Sequence, residues 1–395
     1  MELLDSKVCG LMVRYMDMER LFGARLDELN KNSKSSTTKI DTANLYISLE
    51  SLYNLFRKPN YEDAFESLSK KELKAAYRHC VSAMINVAAH YREYFKRHQI
   101  RTNIVFYYNE ITDDFTKYNN SGLNPDYRMH WFNSLHRMDR WAINNMVMDS
   151  IPIMKIICDY LEDVYMVSVT HVESSMVPFM IHMQGELPTN MNVIVTNDPY
   201  DFNYCNYNFM IITKYAMQPM VLTKRNLIPF ASFRLGNEYE PPAKIHPRLF
   251  PFILACCGDK KRSIPKVAKL GYRTIYKNLM KLYDAGYIFD EDPDTMNIQN
   301  LLHVLNNESF HILTKEGVAS AIMGNYKVMD YETQYKQISK TQFKKTFHQL
   351  TNKTDINALV DLNERYFGDF PLKLMELNQY NRNHDSKELG DLYDG

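Results

Sequence analysis

Two sets of residues in this chain could do chemistry together: a run of cations almost free of acids, and a few carboxylates at the ends of apolar stretches. The cations are Lys260, Lys261, Arg262, Lys266, Lys269, Arg273, Lys277 and Lys281, and no acid interrupts them after Asp259. Pro265 ends any helix before it, and Gly271 permits a tight turn. A helix opening near Gly271 would aim backbone N–H groups at an anion, and the lysines would add charge, which is how a phosphate backbone is gripped. The same residues would equally suit an ordinary solvated pair of basic helices.

The carboxylates need a sheet to bring them together. Lys39-Ile40-Asp41 reads as a short strand ending at Asp41, with a turn into a helix behind it. The apolar run Asn192–Thr196 reads as a strand that ends in Asp198 and Asp201, with Pro199 between them. Open α/β sheets bind their ligands outside the carboxyl ends of the strands, so acids there are candidates for a site. Plainer roles compete: Asp41 would cap the helix that follows, and Asp198-Pro199 would make a turn.

The elements that would carry these residues alternate. A helix over 69–98 shows a buried stripe through Leu73, Cys80, Val87, Tyr91 and Phe95, and the strand Asn103–Tyr108 follows. A helix between two strands makes a βαβ unit and a parallel sheet. Further strands read at 164–169, 209–213 and 220–222, and a buried helix runs from Leu249 to Cys257 into the basic run. Residues 1–31 have helical apolar spacing, which would pack on the body or bind a partner. Residues 111–150 hold both tryptophans, Trp131 and Trp141, with Arg128, Arg137 and Arg140.

The chain has 395 residues, a formal net charge of +0 and 45% hydrophobic residues, enough for one large or two modest cores. A neutral chain does not coat polyanions indiscriminately, so a nucleic-acid site must be a local patch. The cysteines Cys9, Cys80, Cys158, Cys205, Cys256 and Cys257 are scattered without a C-x-x-C, which suggests neither zinc nor disulfides and fits a reducing, cytoplasmic setting. No apolar run reaches membrane-spanning length, and no signal peptide is read at the start. The abundance of Tyr, Met and Asn has the flavour of AT-rich phage genomes.

Taken in order, these residues resemble the flap endonuclease and 5′-3′ exonuclease family of PIN-like nucleases, phage type. Gly258, Asp259, Ile264, Pro265, Val267, Leu270, Gly271 and Thr274 stand where the family's helix–turn–helix run wants them. The resemblance covers roughly residues 39–285 and implies an α/β fold, a PIN-like parallel central sheet flanked by helices. It also implies a helix–turn–helix DNA-binding region and a helical C-terminal region. The implied division is 1–38 N-terminal helix and loop, 39–250 nuclease domain, 251–290 duplex-binding region, 291–379 helical region and 380–395 disordered tail. The resemblance further implies that Asp41, Glu173, Asp198 and Asp259, with Asp201 as a weaker candidate, hold Mg²⁺ or Mn²⁺ that activates a water against a phosphodiester. Lys260, Lys261, Arg262, Lys266, Lys269, Gly271, Arg273 and Lys277 would hold DNA or an RNA–DNA hybrid. The 111–150 stretch would form a gateway for a single strand, and the first helix would meet a replication or virion protein. Host cytoplasm would be the location, with no membrane.

Three positions depart from the pattern. Arg262 stands at the second Asp of the Gly-Asp run, Tyr107-Tyr108-Asn109 replaces a strand-end Asp with Glu110 as an offset substitute, and Ser174-Ser175-Met176 follows Glu173 instead of Ala-Asp-Asp. Glu173 would alternatively be a first-turn acid favoured by a helix dipole. Two functions follow: a metal-dependent 5′ nuclease, or a pseudonuclease that binds DNA or serves a structural role. A third is an interaction protein in which the pattern is accidental.

Overall fold

A computed structural model of the chain describes residues 19–23, 26, 39–48, 87–109, 164–169, 172–183, 190–207, 209–215, 218–234, 245–290, 292–306 and 316–338. The expectations for most of the first helix, for Glu110, for the aromatic stretch 111–150 and for residues 339–395 lie outside the described residues.

Among the described residues six strands form one sheet: β1 (Thr42–Ser48), β2 (Arg101–Asn109), β3 (Val164–Val169), β4 (Asn190–Val195), β5 (Met210–Tyr215) and β6 (Gln218–Leu222). Their order is β3-β2-β1-β4-β5-β6. The pairings from β3 to β5 are parallel, and β6 returns antiparallel to β5. Near-continuous apolar runs such as Ile104-Val105-Phe106-Tyr107-Tyr108 suit strands covered on both faces. Tyr46, Tyr107, Val167, Ile194 and Ile211 join the main core on one face, while Ile47, Phe106, Val195 and Ile212 alternate with them and are buried as well. The strand order turns back between β1 and β4, so the crevice for a ligand opens at their carboxyl ends.

Register is held by an asparagine ladder. Asn44 lies level with Asn103 on β2 and Asn192 on β4. The Asn103 amide donates to Asn44 at 2.9 Å, and the Asn44 amide donates to Asn192 at 3.1 Å. A one-residue slip would break this ladder and turn every side chain to the wrong face.

The ladder also exposes an error in the reading of Asp41. The strand does not end at Asp41 but begins after it, and Thr42 pairs with the first residues of its neighbours, Arg101 and Asn190. Asp41 is exposed and accepts a hydrogen bond from Thr42 Oγ1 at 2.9 Å. It therefore sits at the amino edge, about 20 Å of strand away from the carboxyl rim. The apolar run Leu45-Tyr46-Ile47 is short, and periodicity alone does not separate a buried strand from a helix of that length.

The described helices are α1 (residues 87–97), α2 (Val177–His182), α3 (Leu227–Arg234), α4 (Phe250–Cys257), α5 (Tyr272–Asp284), α6 (Ile298–Leu305), α7 (Val318–Met329) and α8 (Tyr331–Gln337). Helix α4 is buried from Phe250 through Cys256, as its uninterrupted apolar sequence requires, and α5 and α7 lie against it. In contrast, α5 buries only the stripe Ile275, Tyr276, Asn278, Leu279 and Leu282, leaving Arg273, Lys277 and Lys281 exposed. Among the described residues, no helix is long and apolar enough to cross a membrane.

Candidate functional site

The site is built around the loop that joins α4 to α5. Gly258 closes α4 with φ +76°, a left-handed conformation that glycine adopts without strain. A Cβ there would lie 2.6 Å from Ile264 O and 2.7 Å from Lys266 N. Both are backbone atoms, so neither can move aside cheaply. Asp259 and Ile264 then exchange two backbone hydrogen bonds, of 3.0 and 2.8 Å, which pinches residues 260–263 into a small turn. Ser263 at φ +55° and Ala268 at φ +48° complete a tightly wound segment, and such strain persists only where the surroundings hold it. Asn325 of α7 supplies that hold, its amide donating to Ala255 O at 2.8 Å and Pro265 O at 2.9 Å. Replacing Gly258 by Ala is expected to cost about 1–3 kcal/mol from the φ alone, with the backbone collision added. Urea unfolding of the variant measures it.

The turn delivers Arg262 into the protein with 1% of its side chain exposed. Its guanidinium meets three carboxylates that come from separate parts of the chain. Nη1 donates to Asp259 Oδ2 at 2.7 Å and to Asp198 Oδ1 at 3.2 Å, while Nη2 donates to Asp198 Oδ2 at 2.9 Å and to Glu173 Oε1 at 3.3 Å. The planar fork thus grips Asp198 with both nitrogens, the strongest geometry an ion pair of this kind has. The ring of Tyr200 forms the floor, 3.9 Å from the guanidinium carbon. Lys261, from the same turn, adds a second cation to Asp198 Oδ2 at 2.6 Å.

The positions of the acids follow from the sheet. Asp198 follows β4 beside the point where strand order turns back. Glu173 follows β3 as the residue before a short 3₁₀ turn (Ser174–Met176) and is buried. Burial works against the charge on Asp198, yet the charges and hydrogen bonds of Arg262 and Lys261 outweigh it and hold its carboxyl well below the usual range. Asp201 is buried behind the cluster, where Thr196 Oγ1 donates to it at 2.6 Å and Tyr331 OH at 3.4 Å. Desolvation, with the nearby charge of Asp198, pushes its carboxyl up to about 7.

Glu173, Asp198 and Asp259 therefore converge, Asp201 stands behind them without a hydrogen bond to the guanidinium, and Asp41 is at the opposite edge of the sheet. Arg262, expected on the nucleic-acid surface, is instead the hub of the acids. Lys260, Lys266, Lys269, Arg273 and Lys277 are exposed, Lys261 is partly so, and Gly271 is the residue from which α5 starts. Tyr200, Thr196, Tyr331 and Asn325 were not read from the sequence, and nothing in their spacing marks them. The described residues do not fit a divalent ion: the guanidinium fills the space between the carboxylates and engages their oxygens. Among the described residues, no group of three or more His, Cys, Asp or Glu is arranged to hold a metal ion.

No protein-family model matches the sequence, and no curated protein matches it. Among solved structures, the chain is similar to the 5′-exonuclease of bacteriophage T5 with bound zinc, at 12% identity, 78% of this chain, 98% of that chain and a TM-score of 0.52. A T5 protein co-crystallised with metal ions matches at 10% identity, 78% of this chain, 98% of that chain and a TM-score of 0.52. A T5 flap endonuclease pseudo-enzyme–product complex with DNA and metal ions matches at 11% identity, 82% of this chain, 99% of that chain and a TM-score of 0.47. The six-stranded, mostly parallel sheet flanked by helices and these structural likenesses agree: the chain has the fold of the phage-type 5′ nucleases.

Proposed function

We propose that this chain binds DNA through the basic turn and helix α5 at the rim of a 5′ nuclease fold, and that it binds without cutting. The observation that carries the second half is Arg262, buried among Glu173, Asp198 and Asp259. Hydrolysis by this fold's chemistry would require Mg²⁺ or Mn²⁺ on those carboxylates, and a guanidinium already engages their oxygens. Binding is supported by the exposed cations Lys260, Lys266, Lys269, Arg273 and Lys277, which share one segment with the start of α5 at Gly271. Backbone N–H groups at a helix start and flanking lysines are the usual grip on phosphates. In this reading residues 251–290 are the helix–turn–helix that meets duplex, branched or nicked DNA or an RNA–DNA hybrid in the cytoplasm. A protein partner would meet the first helix.

Lys266 and Lys269 are exposed, so Lys266→Ala with Lys269→Ala leaves the fold intact and tests the grip. Duplex affinity is expected to fall, and the slope of log affinity against log salt to flatten by about 2. A fluorescence-anisotropy titration across salt concentrations measures both. Unchanged affinity and slope would remove the DNA reading. Cleavage of flap or nicked DNA by the unaltered chain with Mg²⁺ or Mn²⁺, lost on Asp198→Asn, would restore the nuclease.

A further inference from the structure

We propose that Arg262 is a built-in cation that takes over the place and the structural duty of a divalent ion, so that the carboxylate centre keeps its shape without metal. This rests on the reading of binding without cleavage and gives that site its resident ligand.

Glu173, Asp198 and Asp259 reach one point from behind β3, from behind β4 and from the end of α4. Like charges gathered from three segments, with Glu173 buried and Asp198 and Asp259 partly so, repel one another unless a cation sits between them. Here the cation is covalent. The guanidinium makes four hydrogen bonds to three carboxylates and rests on the face of Tyr200. That floor suits this occupant: a flat, weakly hydrated guanidinium stacks on an aromatic ring, whereas Mg²⁺ seeks oxygen ligands and keeps its waters. Lys261 supplies a second positive charge on Asp198, so among the described residues two cations face three carboxylates.

The turn that carries Arg262 is fastened on both sides. The turn is closed at one end by Gly258, whose backbone neighbours tolerate no side chain. It is tied across by the two hydrogen bonds between Asp259 and Ile264. Asn325 fastens both flanks to α7. Withdrawing Arg262 to admit an ion would break its four hydrogen bonds to the carboxylates and its contact with Tyr200.

The test is a Mn²⁺ titration of the full chain by electron paramagnetic resonance, paired with thermal unfolding in EDTA and in millimolar Mn²⁺. No saturable binding and an unmoved midpoint are expected. Binding that survives Asp198→Asn lies elsewhere and agrees with the proposal. One Mn²⁺ bound with a rising midpoint, both lost in Asp198→Asn, would overturn it. R262D, which replaces the cation by a fourth carboxylate, is expected to bind Mn²⁺ and to gain stability from it. A folded R262D that ignores Mn²⁺ would also overturn the proposal. Should R262D not fold, the titration of the unaltered chain decides alone. A chain that is indifferent to metal yet binds no duplex sinks only the DNA reading. A chain that binds duplex and also takes up Mn²⁺ on Asp198 sinks only this one.

Discussion

Arg262→Met is expected to cost about 3–5 kcal/mol of folding stability, the usual result of removing one partner from a buried ion pair. Methionine fills similar space, so the loss is electrostatic rather than a cavity. Glu173 and Asp198 would face each other and Asp259 with the Lys261 ammonium still on Asp198. Arg262→Lys should lose less, because it keeps the charge but not the planar fork that grips Asp198 with two nitrogens. Urea unfolding of the three proteins at neutral pH gives the ranking. The pH dependence supplies a second reading with a definite sign. Arg262 and Lys261 lower the Asp198 carboxyl in the folded chain, so the stability they confer is present above the unfolded value of 3.8 and is lost as pH falls below it. In Arg262→Met most of that depression disappears. The gap between the two proteins should therefore narrow on acidification below about pH 4. A gap that widens there would mean that the carboxylates are held by something other than the guanidinium.

Asp201 has the opposite sign. Its carboxyl is raised from 3.8 to about 7 by burial and by the charge of Asp198, so the folded chain prefers it protonated. Stability from this group is fully present below pH 3.8 and is lost as pH rises to about 7, beyond which it is flat. The shift corresponds to about 4 kcal/mol across that window. Asp201→Asn keeps the shape, removes the titration and should make the chain more stable at pH 8, with little change near pH 4. The Thr196 and Tyr331 contacts remain available to an amide. Chemical denaturation between pH 4 and pH 8 distinguishes the two proteins, and identical slopes in that range would show that Asp201 is ionised throughout. The two carboxyls three positions apart thus answer pH in opposite directions because one meets cations and the other meets a hydroxyl-lined interior.

The order of the alternating elements was legible because it depends on local runs. Long apolar stretches at 103–108, 164–169 and 192–196 cannot remain in water, and a helix between strands forces parallel pairing. A break between the buried helix and the basic helix was legible from Pro265, but the tight turn was read at Gly271, whose φ of −94° needs no glycine, whereas the sharp reversal falls at Gly258 with φ +76°. Asp41 was misread because Leu45-Tyr46-Ile47 is too short for its period to separate strand from helix. The direction of the chain through the sheet, and hence which end Asp41 occupies, comes from pairing with Arg101 and Asn190.

The sequence by itself determined that a cation replaces an acid at position 262 and that the basic run continues past it unopposed. It also determined that acids follow the apolar strands. Only the tertiary structure decided that this cation points inward to the acids while its neighbours Lys260, Lys266 and Lys269 point outward. The physical reason is that charge type is a local property, whereas burial is set by a turn closed through Gly258, anchored by Asn325 and floored by Tyr200, residues that lie far apart along the chain.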